Sequence, residues 1–69
     1  MTFDQVFNEL YQQEKTVEYQ SLTSDKIHKM RCTVPRKFQR DSDKIVVLNL
    51  ETKKFHDIEI STIISIANN

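Results

Sequence analysis

Sixty-nine residues, 29% of them charged and 38% apolar, with no glycine and one proline, make one domain with a thin core, because a chain this short buries only about 60% of its unfolded surface. The single Cys32 excludes an intramolecular disulfide, and no apolar run approaches the roughly 20 residues that a membrane span needs. Formal charge is zero but segregated: residues 1–25 carry a net −4, residues 26–44 a net +5 and the remainder −1.

At the N-terminus Thr2 and Gln5 have capping-box form, and Phe3, Val6, Phe7, Leu10 and Tyr11 recur at helical spacing. This predicts an amphipathic helix over about residues 3–14, with Asp4, Gln5, Asn8, Glu9, Gln12 and Gln13 on its polar face and Phe3, Phe7 and Leu10 packed by default on the chain's own barrel. From Thr16 the period changes to two, so Val17 and Tyr19 alternate with polar residues in a first strand. Thr23–Lys26 is a polar turn without glycine, and a second strand follows over about Ile27–Val34. Alternation there sets Met30, Cys32 and Val34 against Lys29, Arg31 and Thr33, giving an apolar strand one basic face. Pro35 lacks an N–H and closes the strand; Arg36–Asp43 is a polar loop in which Phe38 could pin a helical turn.

The stretch from Lys44 to Ile66 holds most of the β-branched residues. Ile45, Val46, Val47, Leu48 and Leu50 form a run apolar enough to predict a strand covered on both faces. Glu51–Lys53 turns it into a hairpin arm over Lys54–Ile60, with Phe55 and Ile58–Ile60 supplying apolar contacts. Ser61 and Thr62 interrupt for one turn, and Ile63, Ile64 and Ile66 form the last strand. The expected fold is therefore α+β and mostly β: a helix (1–14) followed by a five-stranded Sm-like or SH3-like small β-barrel (15–67), all in a single domain, 1–69. The absence of glycine excludes loops that cradle phosphate through glycine backbone.

At MRCTVP, Met30–Pro35, and at KIVVLNLETKKFHDIEISTIISI, the chain resembles small phage-encoded proteins related to the WYL domain. The resemblance covers roughly residues 15–67 and leaves the N-terminal helix as an addition. It implies an Sm-like barrel and a regulatory or host-takeover role; the larger family implies sensing of nucleic acid or nucleotides. Where that family usually carries arginine near the end of its fourth strand, this chain has His56, Glu59 and Thr62, and its aromatic-rich signature reads Val46, Val47 and Leu48.

No catalytic constellation and no metal or cofactor site is expected. His28 and His56 lack other ligands at repeating metal-binding spacing, and Asp57 beside His56 is a poor catalytic pair because adjacent strand residues face opposite sides. Alternation turns the Cys32 thiol inward, as a small hydrophobe. A non-enzymatic binding module remains, with three candidate surfaces. Lys29, Arg31, Arg36, Lys37, Arg40 and Lys44 would contact RNA or DNA phosphates; Phe3, Phe7 and Tyr11 would contact a host protein; and acidic helix against basic strand would build a homo-oligomer head to tail. With no leader pattern and no span, a cytoplasmic location is expected, the host's if the protein is phage-encoded.

Overall fold

The computed structural model describes residues 1–37 and 42–68. Helix α1 (Phe3–Leu10) is followed by strands β1 (Lys15–Gln20), β2 (Ile27–Thr33), β3 (Lys44–Asn49) and β4 (Phe55–Glu59), a single 3-10 turn (Ile60–Thr62), and β5 (Ile63–Asn68). The four pairings between strands are antiparallel, in the order β4-β3-β2-β1-β5, and Tyr11 adds an isolated parallel bridge to Val34. The sheet is open, with β4 and β5 at its edges. The class is thus α+β and mostly β, and α1 is not long and apolar enough to cross a membrane.

The helix begins as its sequence dictates. Gln5 N–H donates to Thr2 Oγ1 at 3.2 Å and Thr2 N–H to Gln5 Oε1 at 2.9 Å, which satisfies two donors that helix geometry leaves orphaned. It ends at Leu10, four residues before the expected end at residue 14. Gln12 turns to φ 54°, its N–H donates to the Val34 carbonyl at 2.8 Å, and Val34 N–H and Thr33 Oγ1 both donate to the Leu10 carbonyl, at 2.9 and 3.1 Å. Pairing with the end of β2 satisfies the freed backbone and buries Thr33, the one polar residue in the core among the described residues. The basic face read from alternation along β2 therefore stops at Arg31.

One side of α1 and one side of the sheet make a single core. Val6, Leu10, Val17, Cys32, Val34, Ile45 and Val47 are fully buried, with Phe3, Phe7, Ile58, Ile60 and Ile63 nearly so. Phe3, Phe7 and Tyr11 stack in sequence along the helix, with centroids 5.8 and 5.3 Å apart. On β3 only Ile45 and Val47 are buried; Val46 and Leu48 are half-buried. This corrects the expectation of a strand covered on both faces, since the single helix covers one side of the sheet. Phe55, opposite Leu48 in register, is 56% exposed and lies outside the core.

The hairpin turns do without glycine. Between β1 and β2, Ser21 Oγ accepts from Thr23 N–H and Ser24 Oγ from Lys26 N–H. Between β3 and β4, Asn49 Oδ1 accepts from Glu51 and Thr52 N–H at 2.8 and 3.1 Å, and Lys53 takes φ 62°. A side chain with a Cβ is disfavoured in that left-handed region by about 1 kcal/mol. Lys53→Gly is accordingly expected to raise stability by up to about 1 kcal/mol, read as a Tm increase of a few degrees. A lowered Tm would show that the lysine side chain stabilises the turn more than its backbone strains it.

Candidate nucleic-acid interface

Lys29 and Arg31 are both exposed on β2, two residues apart and so on one face, about 7 Å from each other along the strand. Register places Glu18 directly opposite Lys29 and Thr16 opposite Arg31. Arg31 also lies 3.9 Å from Glu14, with both side chains more than half exposed. An exposed pair of this length contributes about 0–1 kcal/mol and exchanges readily for another anion. Beyond Pro35 the chain bends through Arg36 and Lys37, also exposed. Among the described residues Lys29, Arg36 and Lys37 form no ion pair. Arg40 and Phe38 lie outside the described residues.

Lys44 lies at the far end of β3 from Arg31. Leu50 N–H donates to the Arg31 carbonyl at 2.9 Å, so the C-terminal end of β3 adjoins Arg31, while Lys44 begins the strand six residues away. It sits 3.9 Å from Glu59, its cross-strand partner. Together they line a groove of about 400 Å3 with Tyr19, His28 and Asp57. Here the Tyr19 and His28 rings stack with centroids 5.5 Å apart. Of the five candidate cations among the described residues, Lys29 and Arg31 share β2, Arg36 and Lys37 follow Pro35, and Lys44 opens β3 beside Glu59.

The aromatic stripe of α1, expected by default to pack on the chain's own sheet and otherwise to meet a partner, is used internally. Phe3 and Phe7 are buried and Tyr11 is half-buried against the core, because the apolar side of α1 is the cover the sheet requires. The exposed aromatic of the described strands is instead Phe55, expected from the sequence to supply apolar contacts. His56 turns toward the covered side, where its Nε2 is buried without a hydrogen-bond partner among the described residues, whereas Asp57 is exposed. The two side chains thus diverge as strand alternation requires.

Cys32 is fully buried, and burial pushes its thiol up from 9.0 to about 11. The folded chain keeps this proton at pH values where the unfolded chain has lost it. The stabilisation is therefore intact below pH 9 and is lost as pH rises toward 11, by at most about 2–3 kcal/mol. In Cys32→Ala, denaturant titrations across that window should show a shallower alkaline loss than wild type. Equal slopes would mean that the thiolate is accommodated in the fold.

Compared with protein-family models, with curated proteins and with solved structures, the chain matches none.

Proposed function

We propose that this protein is a small non-enzymatic regulatory module, related to phage-encoded WYL-type proteins, that binds RNA or DNA through phosphate contacts from Lys29, Arg31, Arg36 and Lys37. The observation that carries the reading is the exposure of all four side chains along β2 and the bend after Pro35, with only Arg31 held in a weak pair among the described residues. The Sm-like barrel part of the proposal draws on strand order and on the single 3-10 turn before β5. It draws also on the groove in which the ends of β1 and β2 meet β4, as a sheet curling toward closure requires. Backbone contacts of this kind position a nucleic acid without reading its bases.

Fluorescence anisotropy with labelled single- and double-stranded oligonucleotides tests it. Weak binding is expected, with log K falling linearly in log salt by roughly 0.7–0.9 per phosphate contact. Replacing Arg31 and Arg36 together by Gln should weaken binding alike for all sequences and reduce that slope by roughly 1.5. No binding at the lowest salt would sink the proposal. Capture of a host protein is then the reading left, and it rests on Phe55 beside Leu48 on the outer side of the β3–β4 hairpin.

A further inference from the structure

The two edges of the sheet differ in the feature that governs whether an edge stays single. An exposed strand edge is a template for another strand, and monomeric proteins protect theirs with charges, prolines or very short strands. Edge strand β4 is protected: Phe55–Glu59 carries Asp57 and Glu59 within five residues. Edge strand β5 is not. Ile63–Asn68, reading IISIAN, is six residues long with no charge and no proline. Its one sheet neighbour is β1, and Ile64, at the irregularity opposite Glu18 and Tyr19, is 49% exposed. Beside the strand, a groove of about 490 Å3 lies between Ile66 and the polar side of α1 at Gln5, Asn8 and Glu9, leaving room for side chains of an added strand.

Charge decides what could be added. Two copies related by a twofold axis pair a strand antiparallel with itself, so each residue faces one from the same short sequence. For β4 such pairing brings Asp57 and Glu59 of both copies onto one shared edge, where the strand offers only His56 as a possible counter-charge. For β5 it sets isoleucine, serine, alanine and asparagine against one another, with no charge to repel or desolvate. We infer that β5 is a self-association edge, along which a second copy of this chain pairs antiparallel to make a continuous ten-stranded sheet across a twofold axis. This stands independently of nucleic-acid binding, because β5 carries none of the cations.

Sedimentation velocity on the full chain over a wide concentration range, with amide hydrogen exchange on the same samples, tests it. Wild type should show a monomer–dimer equilibrium, with exchange protection in residues 63–68 rising with concentration and that in β4 unchanged. Ile64→Lys places a charge on the exposed edge without entering the core and should weaken dimerisation by at least about tenfold. Its circular dichroism should remain that of wild type. If Ile64→Lys fails to fold, the exchange pattern of wild type decides alone. A wild-type monomer throughout would overturn the inference. So would a dimer that Ile64→Lys leaves intact, or one whose protection appears in β4.

Discussion

Leu10→Ala should remove most of the stability of this protein. The side chain is fully buried where the end of α1 meets β2, and its own carbonyl accepts from both Val34 N–H and Thr33 Oγ1. Truncating a buried leucine costs about 2–5 kcal/mol, through lost burial and the cavity left behind. A 69-residue domain has only a few kcal/mol in total. At roughly 4–8 °C per kcal/mol, a loss of about 3 kcal/mol lowers Tm by roughly 12–24 °C, which thermal circular dichroism measures directly. A Tm within about 3 °C of wild type would mean that the helix is an appendage rather than the cover of the core.

The second large effect separates the two faces of β3. Val47→Asp puts an unpaired carboxylate into a fully buried site and is expected to abolish folding at 25 °C, because the cost of burying it exceeds the stability available. Leu48→Lys, one residue on and half-buried opposite Phe55, lets the ammonium reach water along its own stem. It should fold, with a loss of about 1–2 kcal/mol from reduced apolar contact. Two-dimensional NMR spectra of both variants check this. If Leu48→Lys were also unfolded, both faces of the strand would be covered in solution.

What could be read in advance follows from which interactions are local. Capping at Thr2 and Gln5 depends on residues three apart, and it appears as the spacing requires. The change of period from 3.6 to two at Thr16, the stop at Pro35 and the one-turn break at Ser61 likewise depend only on neighbours. All fall within a residue or two of the observed boundaries. The inward thiol of Cys32 was legible for the same reason, since alternation along a strand is a property of its backbone.

Burial on the outer side of the sheet was not legible, because it depends on how many layers the fold has. An apolar run such as Ile45–Leu48 states that burial is favourable, not whether a second layer exists to provide it. One helix of eight residues covers one side, so Val46, Leu48 and Phe55 remain partly or largely in water. The candidate site divides along the same line. Strand alternation alone placed Lys29 and Arg31 together, but the neighbours of a charge are set by register between strands distant in sequence. Pairing of β1 with β2 brought Glu18 opposite Lys29, and pairing of β3 with β4 brought Glu59 to Lys44. Periodicity marked the start of the helix and its buried stripe, yet where it stops was decided by Val34, more than twenty residues away, whose backbone groups pair with Leu10 and Gln12. Local spacing by itself determined the elements and their order; which surfaces meet water was decided by tertiary pairing, because burial and charge neutralisation are properties of contacts that no window of adjacent residues contains.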